Sequence, residues 1–375
     1  MTTLRSRPDV VAAACGLFLF CWGLVHLDLW SGHAIVDWPT YEHYGDAILH
    51  QGLVPYRDFA VEYPPAAIAT FLLPVAFGDY AAGFAWQMAA CGVALVAVVA
   101  AIRVEASFYV ALAPVLAGSL ILSRFDLWPA LLTVAALAAF LHARHRLGWG
   151  FLGAAVAAKL WPFVIVPLAL VRSYRAGRAR AALVGVAVAA VAFVPFALVA
   201  PQGLWRSLSG QGSRPLQIES LGASLFTTFG HPHVITTHGS QNVAGHGAVG
   251  AVFAVAQAAA LVALWIAFAR GPATDTRLLR YAAACVCAFV ALGKVLSPQF
   301  LIWLIPLVPL VRGRRGLLAT ALLTAALLLT QAWFPARYFE YVDSFRNAAV
   351  VLARDLALVV LLVVLAWPDH LARRG

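Results

Sequence analysis

Apolar residues run in long blocks, separated by short segments that carry most of the charge. Blocks near residues 10–30, 80–102, 107–122, 127–143, 181–200, 245–269, 279–296, 299–311, 316–334 and 347–367 predict membrane-spanning helices, since a bilayer core of about 30 Å takes about 20 helical residues. Residues 149–158 and 163–171 are each too short to span and have arginines at their outer ends, so the chain must enter and leave on one side. They predict a re-entrant hairpin with Lys159-Leu160-Trp161-Pro162 at its tip. Non-helical backbone at such depth is tolerated only when buried in protein or lining a wet cavity, so the tip is expected to face a site. Residues 64–78 begin at Pro64-Pro65 and hold a short apolar core; they predict a helix in or dipping into the outer leaflet, broken at Gly78-Asp79, with a full span as the alternative. Arg5 and Arg7 precede the first block as in a signal peptide, but the block is long enough to span, and an uncleaved first helix is expected. The pattern as a whole predicts an all-α integral membrane protein of about 12 spans, with residues 1–375 in a single transmembrane domain.

Composition sharpens this picture. Hydrophobic residues make up 63% of the 375-residue chain and charged residues 11%, against about 45–50% and about 25% in soluble domains. No large soluble domain fits. The net charge of +10 would suggest nucleic acid in a soluble protein. Here the basic residues lie in short loops: Arg5/Arg7, Arg103, Arg144–Arg146, Arg172–Arg180, Arg270–Arg280, Arg312–Arg315 and Arg373/Arg374. Basic loops stay in the cytoplasm, so both termini are expected there and a nucleic-acid partner is excluded. Loops 31–63, 123–126, 159–162, 201–244, 297–299 and 335–346 are then extracytoplasmic and hold most of the acidic residues. Cys15, Cys21, Cys91, Cys285 and Cys287 all sit inside apolar blocks, which reads as packing rather than a disulfide or zinc framework.

Polar residues at membrane depth carry the functional signal. Only two of the 26 basic residues are lysines, Lys159 and Lys294, and both lie in apolar blocks. An ionisable group there costs about 2.5–3.5 kcal/mol and usually faces a cavity, pairs, or binds substrate; snorkelling to the headgroups is the bland alternative. Arg124-Phe125-Asp126 sits at a turn on the same face. In loop 31–63, Asp37, Tyr41 and Tyr44 recur at helical spacing and Ala47, Ile48 and Leu49 extend an amphipathic interfacial helix. Carboxylates among Tyr and Trp suit a sugar, with oxygens to accept hydroxyl protons and ring faces to stack. Asp37 follows the first span directly and ranks first as a base, with Glu219, Glu62 and Asp126 behind it. Loop 201–244 adds Arg214 and Glu219, followed by His231, His233 and His238, which read as solvated loop histidines. There is no Asp-x-Asp, no P-loop and no dinucleotide fingerprint, so no standard device for a nucleotide diphosphate is present.

Five motifs occur in order: Gly52-x-x-Pro55-Tyr56-Arg57-Asp58-Phe59-x-x-Glu62-Tyr63-Pro64-Pro65; Ser123-Arg124-Phe125-Asp126-x-x-Pro129; Lys159-x-x-Pro162; Arg214-x-x-Gln217-x-Glu219-Ser220; and Lys294-x-x-Ser297-Pro298-Gln299-Phe300-x-x-Trp303. Together, from about residue 37 to 311, the set resembles glycosyltransferase family 87. The resemblance implies a GT-C fold, a polyprenyl-phosphate sugar as donor, and a first-loop aspartate, here Asp37, as base. Mannosyltransferases of that family carry histidines after the Ser-Pro motif, where this chain has Gln299-Phe300.

The chemistry such a donor requires matches the polar inventory. An acceptor hydroxyl, on a lipid or glycan, attacks the anomeric carbon, and a carboxylate must take its proton: Asp37, with Glu219 and Asp126 as catalytic alternatives. Charge growing on the departing phosphate must be stabilised, for which Lys159, Lys294, Arg214 and Arg354 are available. Tyr41, Glu62, Arg124 and Gln299 are expected to bind substrate, Gln299 because Pro298 breaks the chain and turns it toward the cavity. No cofactor or metal is required for a monophosphate leaving group, and direct displacement predicts inversion. The rival reading is a non-enzymatic carrier or flippase for a lipid-linked sugar, which would need polar residues at both membrane faces rather than at one.

Overall fold

A computed structural model describes residues 8–31 and 35–368; the expectations for Arg5, Arg7, Arg373 and Arg374, and for the two chain ends, fall outside the described residues. The chain divides into two compact units, Met1–Ser213 and Arg214–Gly375.

The first unit opens with α1 (Pro8–His26), followed by α2 (Trp38–Leu49) in the first loop, α3 (Ile68–Leu72) and α4 (Tyr80–Ile102). Residues 64–78 form a short, broken helix of 3-10 and α turns, Pro65–Ala76, and end before Asp79. The Asp79 carboxylate accepts from the Ala82 backbone N–H at 3.1 Å, a cap that starts α4. α5 (Val104–Ala111), α6 (Ala113–Ala117) and α7 (Leu120–Ser123) occupy the block expected as one span over 107–122. The block is uniformly apolar, but Pro114 cannot continue the preceding helix and Gly118 takes a left-handed φ of 60°, so the chain turns twice.

α8 (Leu127–Leu141) and α9 (His145–Ala158) then form an αα-hairpin, and α10 (Val166–Arg175) turns back along α9. The return is fixed at its far end, where His145 Nδ1 and Trp149 Nε1 both lie at hydrogen-bond distance from Ser173 Oγ, 2.9 and 3.0 Å. At the near end Lys159 is extended and Trp161–Ile165 forms a 3-10 turn, as the proline predicts. The expected hairpin is therefore present with Lys159 at its tip. α11 (Ala182–Val199) crosses α9 so closely that a Cβ on Gly153 would lie 2.3 Å from the Gly185 carbonyl oxygen; small residues permit this approach between apolar helices. α12 (Pro201–Ser213) closes the unit.

In the second unit the loop expected over 201–244 contains β1 (Leu216–Gln217), α13 (Leu221–Phe229), β2 (Val234–Thr237) and β3 (Ser240–Val243). The strands form a small antiparallel sheet in the order β1-β3-β2. His238 and Gly239 both have positive φ, 52° and 64°, the geometry of a tight two-residue hairpin turn. His231, His233 and His238 are exposed, as expected. After this come α14 (Gly247–Arg270), α15 (Asp275–Ala291), α16 (Gly313–Gln331), α17 (Tyr338–Ser344) and α18 (Ala348–Ala366). α18 packs against α13, α15 and α16, and α15 carries Cys285 and Cys287 fully buried.

Two expected spans differ here. Residues 279–296 do not form one helix: α15 ends at Ala291, and Gly293 to Ser297 is irregular, so Lys294 and Ser297 do not share a helix face. Residues 299–311 are 3-10 turns, Pro298–Trp303 and Val308–Leu310, because Pro298, Pro306 and Pro309 remove the donors a continuous α-helix needs. Among the described residues six helices are long and apolar enough to cross a bilayer: Pro8–His26, Tyr80–Ile102, Ala179–Val199, Gly247–Arg270, Gly313–Gln331 and Ala348–Ala366. The other expected spans, counted toward about twelve, are shorter or broken helices.

Candidate active site

In the first unit the turn between α7 and α8 carries Arg124, Phe125 and Asp126, and each charged side chain reaches a different segment. Arg124 ion-pairs with Asp37 through Nη1 and donates from Nη2 to the Ile35 carbonyl at 3.0 Å. Asp37 stands at the start of α2, where Pro39 begins the helix, and makes no cap with its own side chain. Its carboxylate is left to the guanidinium and to the Tyr41 hydroxyl, which donates to Oδ2 at 3.5 Å. Tyr41 and Tyr44 form the buried face of α2, as their spacing predicts.

Asp126 points the other way. Lys159 Nζ donates to its Oδ1 at 2.6 Å, and the ammonium lies 4.6 Å from the Phe125 ring centroid and 6.0 Å from that of Tyr63. The α8–α9 hairpin explains this pairing: Asp126 precedes α8 and Lys159 follows α9, so antiparallel packing brings them to one end. Tyr41, Tyr63, Phe71 and Phe125 form an aromatic wall, with Tyr41 stacked on Phe71 at 4.4 Å and Tyr63 edge-on to Phe125 at 5.0 Å. The structure thus brings Asp37, Tyr41, Arg124, Asp126 and Lys159 into one cluster.

Exposure separates the two carboxylates. The Asp37 side chain is 32% exposed and that of Asp126 1%. Of these two, Asp37 is the one that presents a carboxylate edge to an incoming molecule. Glu62 is exposed, and its backbone carbonyl accepts from Gln211 Nε2 at 3.1 Å; burial first, and then the Glu62 charge, push the Tyr44 phenol up to about 12.

In the second unit Glu219 lies between β1 and α13 and is 2% exposed. Arg354, fully buried in α18, donates from Nη2 to the Glu219 backbone carbonyl at 2.8 Å, and its Nε pairs with Asp355 Oδ1 at 2.8 Å. Burial pushes the Glu219 carboxyl up to about 7, against the opposing pull of Arg354, a bond from Gln217 and Arg214. Arg214 Nη2 donates to Ser240 Oγ at 3.0 Å. Lys294 is anchored by its backbone, its carbonyl accepting from the Gln217 N–H at 2.9 Å. A Cβ at Gly250 of α14 would sit 3.8 Å from Lys294 Cδ, so the lysine stem lies along that helix. Gln299 Oε1 accepts from Ser297 Oγ at 2.5 Å. Glu219 and Arg354 are therefore joined, Arg214 is near enough to act on the Glu219 carboxyl, and Lys294 and Gln299 lie along the turn after α15.

Three participants received no role from the sequence. Asp355 neutralises Arg354 and was readable as the second charge of an Arg-Asp pair inside an apolar block. Tyr341 donates to the Ile218 carbonyl at 2.7 Å and fixes the residue next to Glu219. Tyr63 completes the wall beside Lys159. Tyr63 stands in the first motif, which gives it no role of its own, and Tyr341 has no spacing that would have singled it out. Among the described residues no three His, Cys, Asp or Glu side chains converge in a metal-binding group.

No curated protein sequence matches the chain. Among solved structures, the fold is similar to that in the crystal structure of ArnT from Cupriavidus metallidurans bound to undecaprenyl phosphate, with a TM-score of 0.51 over 95% of this chain and 76% of that one, at 14% identity. The family model for glycosyltransferase family 87 matches residues 61–298, a stretch that holds three of the five motifs in full, parts of the other two, and most of a charged cluster set on a multi-pass helical scaffold. The chain is a membrane protein of the GT-C fold and belongs to glycosyltransferase family 87.

Proposed function

We propose that this glycosyltransferase moves a hexosyl residue, mannosyl by family resemblance, from a polyprenyl-monophosphate sugar to a hydroxyl of a lipid-linked or glycan acceptor, with inversion at the anomeric carbon. The observation that carries the reading is the state of Asp37: partly exposed, oriented by Arg124, and set against an aromatic wall. Asp37 takes the acceptor proton as the acceptor oxygen bonds to the anomeric carbon, and the bond to the phosphate oxygen breaks to release polyprenyl phosphate. Arg124 holds the carboxylate in place, and Tyr41 donates to its second oxygen. Asp126, buried and tied to Lys159, serves better as the anchor of that lysine than as a base. Lys159 in the first unit is the candidate cation for the donor phosphate, and Lys294 and Arg214 are the candidates for that role in the second. Arg354 has both its neighbours inside the protein and supports Glu219. Glu62 and Gln299 contact substrate hydroxyls.

The reaction is placed at the extracytoplasmic face, with both termini in the cytoplasm, because the arginine loops are expected inside. Labelling of a cysteine at the exposed Ser209 tests this: reaction from the cytoplasm alone would reverse the orientation. Enzyme and carrier are separated in proteoliposomes loaded with a polyprenyl-phosphate sugar. A transferase yields a new glycoside whose NMR coupling reports the anomeric configuration opposite to the donor's. A carrier moves intact donor across the bilayer and breaks no bond.

A further inference from the structure

A cleft of about 470 Å³ opens in the second unit where the C-terminal end of α13 meets the turn between α17 and α18. Thr227, Thr228, His231, Ser344, Phe345 and Asn347 are among its lining residues. None of the lining side chains carries a fixed charge, and the nearby Arg346 is neutralised by its ion pair with Glu340 at 3.5 Å. The cleft is therefore built for a neutral ligand, unlike the cationic groups assigned to the donor phosphate.

Its hydrogen-bonding character is specific. The Thr228 and Ser344 hydroxyls donate to the carbonyls of Ser224 and Glu340, each at 2.7 Å, and Thr227 donates to Ser224 O at 3.2 Å. With their protons engaged, these oxygens are left as acceptors. Asn347 Nδ2 is buried with no hydrogen-bond partner among the described residues, and a buried amide N–H normally has one. The site thus pairs a row of acceptors with one waiting donor, which is what a polyol satisfies.

Apolar faces complete it. Phe229 is 80% exposed at the rim, and the Phe345 ring lies 5.7 Å from that of His231. Phe345 and Asn347 both have positive φ, 54° and 72°. A bulky residue there is uncommon and persists where the surroundings hold it, often at a ligand site. The geometry points to this cleft as a saccharide-binding subsite that receives the neutral sugar portion of a glycan acceptor, its hydroxyls bonded by Thr227, Thr228 and Asn347 and its ring face laid on Phe345. The inference rests on the glycosyl-transfer reading and extends it to the chemistry of the acceptor.

Saturation-transfer NMR on the full chain in nanodiscs tests it, with methyl α-mannopyranoside and methyl β-glucopyranoside as probes and inorganic phosphate as competitor. Asn347→Gly removes the amide while keeping a residue at ease with positive φ, and Thr228→Val removes a hydroxyl at constant shape. Signals from at least one glycoside are expected in the wild type, falling about fivefold in each variant, as loss of one hydrogen bond implies. A wild type that saturates neither glycoside, or signals unchanged in both variants, would overturn the subsite. Displacement of the glycoside by phosphate would overturn its neutral character. If Asn347→Gly fails to fold, Thr228→Val decides alone. Polyprenyl-phosphate release is assayed separately, so a failed transferase reading shows there and a failed cleft shows only in the NMR.

Discussion

Arg124 joins Asp37 to the backbone that precedes it, one guanidinium nitrogen on the carboxylate and another on the Ile35 carbonyl. The planar fork binds two oxygens of one short segment at once, so it sets the direction of the carboxylate as well as its charge. A positioning role for Arg124 follows, distinct from contact with substrate.

Arg124→Lys keeps the charge but loses the fork. Turnover should fall by about 10- to 100-fold, a fraction of a general-base contribution, with donor affinity unchanged. The kcat and KM of the variant check this; a rise in donor KM at constant kcat would instead make Arg124 a substrate ligand.

The Lys159–Asp126 pair is nearly closed to solvent, with side chains 15% and 1% exposed. Removing one partner of a buried pair costs about 3–5 kcal/mol, whereas replacing both by apolar groups is close to neutral. Asp126→Leu alone should lower the melting temperature sharply. Asp126→Leu with Lys159→Met should restore stability without restoring activity, because the ammonium proposed to meet the donor phosphate is gone. Recovery of both would reduce the pair to a structural role.

Glu219 gives the protein a pH signature. Its carboxyl titrates near 7 in the fold against about 4.3 in the unfolded chain, so the native state binds the proton more tightly. Its stabilising contribution is complete below the unfolded value and is lost as pH rises through 7, by at most about 4 kcal/mol. Glu219→Gln should flatten the melting curve between about pH 5 and 8 and melt above the wild type at the alkaline end. Melting in detergent across that range measures it, and an unchanged slope would place the titration elsewhere.

Lys294 follows an irregular turn rather than a helix, with its stem along Gly250. A compact ammonium suits that passage better than a planar guanidinium. Lys294→Arg and Lys294→Ala should both weaken donor binding and slow turnover. Snorkelling predicts a harmless Lys294→Arg, and donor titrations of the two variants separate the readings.

Much of this arrangement was legible from spacing. Tyr41 and Tyr44 read as one face of α2, and arginines at both ends of 149–171 with Pro162 between them read as a hairpin. What escaped was long-range or hidden by uniform hydropathy. Pro114 and Gly118 break an apolar block whose average hydropathy gives no sign of it. The strands of loop 201–244 are two to four residues long, too short for alternation to register. Asp37 and Arg124 were each singled out, but nothing local tells that they meet; their pairing depends on where α8 delivers its first turn. Asp355 was overlooked because its charge is cancelled by its own neighbour.

The measurement closest to the central claim is release of polyprenyl phosphate by the purified protein, offered a panel of polyprenyl-phosphate sugars with the acceptor mixture of a membrane extract, in wild type and Asp37→Asn. The amide keeps the shape of the side chain but cannot take a proton. One or more donors should be consumed by the wild type and about 10²–10⁴-fold more slowly by Asp37→Asn, with donor binding preserved. Wild type inert toward every lipid-monophosphate sugar but active on a nucleotide sugar, or Asp37→Asn within a few-fold of wild type, would contradict it.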